Sequence, residues 1–202
     1  MTALDEAHTP TAADRAARAV TEVFTPGVLV VAVLLAVGWY DTRSIAGLGW
    51  GLLAALFCGV IPYTVLILGV RFGWWTDRHV RERRQRFVPL LMVIACVSLG
   101  VATLVSLDAP RELFALVAAM LIALVITLAI TLTWKISFHT AVAGGVSVVL
   151  MLTYGAPTAV AVPVVAVIGW SRVRLRDHTP AQAVVGAVLG AAVAAVVFPL
   201  LR

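Results

Sequence analysis

Long uninterrupted apolar runs alternate with short clusters of arginine along this chain, and that alternation leaves few folds open. Seven apolar segments follow one another, at about residues 28–40, 45–70, 88–107, 113–134, 141–154, 158–170 and 180–200. Crossing the hydrocarbon core of a bilayer takes roughly 20 mostly apolar residues, and about 17 suffice. The segments at 28–40, 141–154 and 158–170 reach that length only if their polar flanks extend them or if they sit short in a bundle. Backbone N–H and C=O groups in hydrocarbon must be satisfied within the segment or in a closed barrel. A barrel strand alternates apolar and polar residues, whereas these runs are continuous. The expectation is an all-α polytopic membrane bundle of about seven transmembrane helices, or six if the first is not a full span.

Composition agrees. Of 202 residues, 62% are hydrophobic and 12% charged, about half the charged share of a soluble domain. The mean hydropathy of +1.04 leaves no room for a second, soluble domain. Residues 1–24 read as a polar tail with an interfacial helix over 12–23, and 25–202 as the membrane domain. The tail mixes Asp5, Glu6, Asp14, Arg15, Arg18 and Glu22, unlike a cleavable signal with its basic start and apolar core. Cys58 and Cys96 lie inside apolar runs and read as packing thiols. Trp39, Trp74, Trp75, Trp134 and Trp170 fall at segment ends, where amphipathic rings favour the headgroup layer. Gly186 and Gly190 form a GxxxG pattern that permits close helix contact.

Charge sorts the loops into two faces. With seven spans, one face carries Arg15, Arg18, Arg71, Arg78, Arg81, Arg83, Arg84, Arg86, Lys135, Arg172, Arg174 and Arg176. The other carries Arg43, Arg111 and Arg202. Basic loops stay in the cytoplasm, so the expectation is a protein of the cell membrane with the first face inside. Membrane lipids are the expected surroundings, and no nucleic-acid partner is expected.

Three polar clusters fall on that same face: residues 77–86, then 135–139, then Ser171 and Arg172 with His178 and Gln182. Ionisable groups at the membrane boundary are costly and are usually functional. Grouped arginines favour phosphate, whose oxygens match the guanidinium fork in pairs. Ser137 and His178 also lie near expected helix starts, where free N–H groups and the helix dipole favour an anion. Simpler readings accompany each feature. Arg78, Arg81, Arg83 and Arg84 suit a basic face for anionic lipid heads. Asp77 with Arg81, and Glu82 with Arg86, are spaced as helical ion pairs. Ser171 suits a helix-end hydrogen bond.

The clusters resemble the three motifs of the type-2 phosphatidic acid phosphatase family, relatives of the vanadium haloperoxidases. Those motifs read K-x6-R-P, P-S-G-H and S-R-x5-H-x3-D. The third matches best, since Ser171, Arg172 and His178 keep its spacing. The second keeps Ser137 and His139, with Ile136 and Phe138 in place of its proline and glycine. In the first, Arg86 takes the arginine, His79 stands where the lysine would be and Phe87 replaces the proline. Gln182 replaces the final aspartate.

The resemblance spans about residues 71–200. It implies a lipid phosphatase acting on a phosphomonoester or pyrophosphate through a phosphohistidine, with a polyprenyl phosphate or a phosphatidate-like lipid as substrate. His178 would be the nucleophile and His139 the general acid, roles that suit imidazole. Arg86, Arg172, Ser137 and Ser171 would hold phosphate oxygens, with Lys135 or His79 supplying the missing lysine charge. Gln182, four residues after His178, would face it on a helix. Its carbonyl can accept the Nδ1 hydrogen but brings no negative charge, and Asp177 is the nearest acid in sequence. No metal-ligand spacing is present, and no cofactor is expected. The oligomeric state is left open.

Two other functions fit the same residues. One is a non-catalytic protein that binds or moves anionic lipids on its basic face. The other is a proton-coupled transporter, which would need polar groups deep in the spans. Few such groups are present, with Thr127, Thr131 and Thr133 in the fourth segment and Ser147 and Thr153 in the fifth.

Overall fold

The computed structural model describes residues 11–74 and 87–202, and every element within them is helical. The order is α1 (Ala12–Val23), α2 (Pro26–Thr42), α3 (Ile45–Ala55), a π-helical turn (Leu56–Val60), α4 (Ile61–Arg71), α5 (Phe87–Ser106), α6 (Arg111–Thr133), α7 (Phe138–Tyr154), a 3₁₀ segment (Ala156–Val160), α8 (Ala161–Arg174) and α9 (Pro180–Leu201). Among the described residues, five continuous helical stretches are long and apolar enough to cross a membrane: Ile45–Arg71, Phe87–Ser106, Arg111–Thr133, Ala156–Arg174 and Pro180–Leu201. α1 and α2, bent by 44° to one another, supply a sixth if taken together. α7 is apolar but has 17 residues.

The perimeter is as apolar as the interior. Leu99, Val105, Leu132 and Val188 are exposed, while Val33, Leu34, Val97, Leu113, Val149 and Phe198 form the core. A continuous apolar exterior is a liability in water and costs nothing against lipid tails. The helices therefore hold together by close packing rather than by exclusion of water.

That packing is tightest between α7 and α9, the most extensive helix pair. A Cβ at Gly186 would stand 2.5 Å from the Ser137 carbonyl oxygen, and one at Gly190 would overlap the Ala141 carbonyl. The GxxxG pattern thus seats α9 against the first turns of α7. Gly190→Ala is expected to lower the thermal unfolding midpoint in detergent, at a cost of about 1–3 kcal/mol from overpacking. Gly49→Ala, on an open face of α3 with nothing within 4 Å, is the matched control. It should stabilise slightly, by about 0.5–1 kcal/mol, through helix propensity alone. Equal midpoints for the two variants would show that the α7–α9 contact is not tight.

Three details depart from the hydropathy reading. The second apolar run is not one regular helix. Pro62 has no N–H to give to Cys58, and the ladder shifts by one residue there, so that the Ile61 N–H reaches the Leu56 carbonyl, five residues back. α7 begins three residues earlier than its apolar run, because Ser137 caps it; His139 is therefore in its first turn. α8 continues to Arg174, so Ser171 and Arg172 lie in its last turns rather than in a loop after it.

The two ends of the bundle differ. At one end the Arg43 guanidinium lies 4.5 Å over the Tyr40 ring, Tyr40 meets Tyr154 edge-on, and Arg202 donates to the Leu152 carbonyl at 3.2 Å. At the other, α1 packs along the end of α8 and Arg174 pairs with Asp14 at 2.9 Å. α1 has the bounds expected of the interfacial helix.

Candidate functional site

At the α1–α8 end, three helix termini are folded over one another. α6 stops at Thr133, Trp134 turns extended, and Ser137 caps α7, its Oγ accepting the Thr140 N–H at 3.5 Å. The Ser137 N–H in turn donates to the Gln182 carbonyl on α9 at 3.2 Å. This bond brings the start of α7 beside the start of α9.

The link from α8 to α9 is five residues long, 175–179, and tightly closed. Arg176 adopts the left-handed conformation (φ 56°), and the N–H groups of Asp177 and His178 both return to the Arg172 carbonyl, at 3.0 and 3.2 Å. Capture of one late carbonyl by amides beyond the helix end is the usual way a helix terminates with a residue in that conformation. The reversal folds Asp177 back onto Arg172. The Asp177 carboxylate lies 2.9 Å from an Arg172 terminal nitrogen, with both side chains almost wholly buried. Lys135 braces the same link, its Nζ donating to the Asp177 carbonyl at 2.6 Å.

α9 then opens with a capping box. Thr179 Oγ1 accepts the Gln182 N–H at 3.3 Å, and Gln182 Oε1 accepts the Thr179 N–H at 3.2 Å. The same Oε1 lies 3.1 Å from His178 Nδ1. A backbone N–H can only donate, so the amide atom facing it is the oxygen. An amide oxygen can only accept, so Nδ1 of His178 carries the hydrogen. In the neutral ring this leaves the in-plane lone pair on Nε2.

His139, Arg172 and His178 line one cavity of about 230 Å³. Thr127 and Thr131 of α6 border it as well, and the rest of the wall is largely apolar, including Val30, Leu90, Leu116, Met120 and Val193. The cavity's wall therefore includes two imidazoles and a guanidinium paired with Asp177 beside a larger apolar share.

The remaining expected site residues are placed as follows. Gln182 contacts His178, Ser137 is a fully buried cap, and Lys135 braces the link. Ser171 is fully buried with its hydroxyl donated to the Ile168 carbonyl at 2.7 Å, and it does not line the cavity. Arg86 and His79 lie outside the described residues, as does the basic run around them.

Two residues carry more of the arrangement than their sequence positions announced. Asp177 pairs with Arg172. Thr21 of α1, also buried, stands 3.2 Å from Ser171 Oγ and 3.5 Å from Arg172. The threonine, proline and glutamine at 179, 180 and 182 spell a capping box, a readable signal for the role of Gln182. Nothing local to residue 21 announces Thr21, because its partners are 150 residues away. Compared with protein-family models, with curated proteins and with solved structures, the chain shows no match.

Proposed function

We propose that this chain is a membrane phosphatase that hydrolyses a phosphomonoester or pyrophosphate of a lipid, taking the phosphoryl group at the cavity's polar part and the lipid tail along its apolar part. The observation that carries the reading is the 3.1 Å contact of His178 Nδ1 with the Gln182 side-chain oxygen, from which the tautomer follows. The Nδ1 hydrogen goes to Gln182, so Nε2 is the nucleophilic nitrogen, in a cavity that Arg172 and His139 also line.

In this scheme Nε2 attacks phosphorus and the bond to the leaving oxygen breaks as a proton arrives from His139. Water then cleaves the phosphohistidine, with His139 accepting the water's proton. Arg172 draws charge from the non-bridging oxygens as it builds. A polyprenyl phosphate suits a single apolar channel, and a phosphatidate-like lipid is the other substrate of this class. Seven spans, with the basic end in the cytoplasm of a cell membrane, complete the reading by the sorting of charge.

Two observations favour a second function, a non-catalytic protein that binds or moves anionic lipids. Asp177 already neutralises Arg172, and Gln182 brings His178 no negative charge.

The deciding measurement is phosphate release from a panel of lipid phosphates by the purified protein in detergent, wild type beside Gln182→Asp. A carboxylate at 182 would hold the same tautomer and stabilise the imidazolium as it forms. The variant is expected to be faster by about tenfold or more. Absence of release from every lipid by both proteins would leave the lipid-binding function in its place.

A further inference from the structure

This inference deepens the reading of Arg172 as a phosphate ligand and rests on it. α1 is more than a tail lying against the bundle. Ala17 is fully buried and Thr21 nearly so on its inner side. Its first turn is tied to α8 by Arg174, which pairs with Asp14 at 2.9 Å and donates to Thr11 Oγ1 at 3.2 Å.

The direction of the hydrogen bonds at Thr21 follows from its neighbours. The Ser171 hydroxyl hydrogen is committed to the Ile168 carbonyl at 2.7 Å. Between Thr21 and Ser171, 3.2 Å apart, Thr21 is therefore the donor. That leaves the Thr21 oxygen as acceptor toward Arg172 Nη1, 3.5 Å away, while Nη2 meets Asp177 at 2.9 Å. The guanidinium is thus held by two residues, Thr21 on α1 and Asp177 in the link between α8 and α9. An arginine side chain has many rotamers to lose, and a group ordered before its ligand arrives gives up less on binding.

We propose that Thr21 is a positioning residue for Arg172, and that α1 buttresses the phosphate site from behind that guanidinium without lining the cavity. The hydroxyl does not touch phosphate; it sets the angle at which the guanidinium presents itself.

The test uses the full chain in detergent, with inorganic orthophosphate as the binding probe and a lipid phosphate as substrate. Thr21→Val keeps the shape and deletes the hydroxyl, and Thr21→Ser keeps the hydroxyl. Thr21→Val is expected to weaken orthophosphate binding and raise KM by about tenfold, the scale of one hydrogen bond to a charged group. Its kcat should change by less than about twofold, the mark of lost binding common to ground and transition states. Thr21→Ser should return both Kd and KM to near wild type, which a general loosening of the fold would not allow.

Wild-type affinity in Thr21→Val, or equal affinities in the valine and serine variants, would overturn the positioning role. A wild-type protein that binds no orthophosphate would overturn it together with the phosphate reading. If orthophosphate binding weakens as expected while wild type hydrolyses no lipid phosphate, the positioning role stands and the hydrolase proposal falls.

Discussion

His178→Ala is expected to abolish phosphate release from lipid phosphates, with a loss of about a thousandfold or more. The alanine removes the only atom that the scheme gives to phosphorus, and no other group can take its place without a different bonding partner for the phosphoryl. His139→Ala is expected to behave differently. General acid catalysis contributes about a hundredfold to ten-thousandfold, and its value depends on how poor the leaving group is. With a lipid alkoxide as leaving group the loss in His139→Ala should be large. With p-nitrophenyl phosphate, whose leaving group needs no proton, the loss in the single-turnover burst of p-nitrophenolate should shrink to about tenfold or less, while steady turnover stays slow because His139 is also the base for the water step. His178→Ala should stay inactive on both. Equal rates for wild type and His178→Ala on the lipid substrate would end the proposal. A similar loss in the single-turnover burst of His139→Ala on both substrates would remove it from the acid's role.

The second large effect concerns the Arg172–Asp177 pair. Taking both charges out of water is expensive, and their attraction over 2.9 Å offsets that cost only while both are present. Asp177→Ala leaves a buried guanidinium with its main counter-charge deleted. Removing one partner of such a pair typically costs about 3–5 kcal/mol. The thermal or denaturant midpoint in detergent should fall accordingly, even though the substitution deletes only a short side chain. If Arg172 is a phosphate ligand, orthophosphate should restore much of the loss, because a ligand bound only by the folded state stabilises it in proportion to its affinity and concentration. The stabilisation by orthophosphate should then be larger in Asp177→Ala than in wild type, where the carboxylate competes for the same guanidinium. A change of less than about 1 kcal/mol would place the pair with exposed salt bridges, against its burial. A full loss that orthophosphate leaves untouched would keep the pair as structure and count against Arg172 as a phosphate ligand.

The glutamine at 182 shows how far a motif can be read without the fold. Beside the aspartate of the resembled motif, it looks like a loss of charge and nothing more. In place, its carbonyl oxygen accepts from both Thr179 and His178, so one amide caps α9 and sets the imidazole tautomer. Asp177 shows the converse. Next to His178 in sequence, it is the obvious source of a missing charge for the ring. The left-handed turn at Arg176 directs its carboxylate to Arg172 instead. Ser171, a motif residue, is turned away from the cavity to the Ile168 carbonyl.

What the sequence determined by itself is the helical character, the positions of most spans and the gathering of His139, Arg172 and His178 at one end. These follow from local quantities: apolar run length, the obligation of every backbone amide in hydrocarbon, and the sorting of basic residues between loops. Only the tertiary structure decided the partners of those residues. Whether Arg172 meets Asp177, Thr21 or a ligand depends on how α1, α8 and α9 cross and on one reversed backbone angle. Hydrogen bonds and ion pairs act over about 3 Å, a distance that no spacing along the chain encodes for groups 150 residues apart.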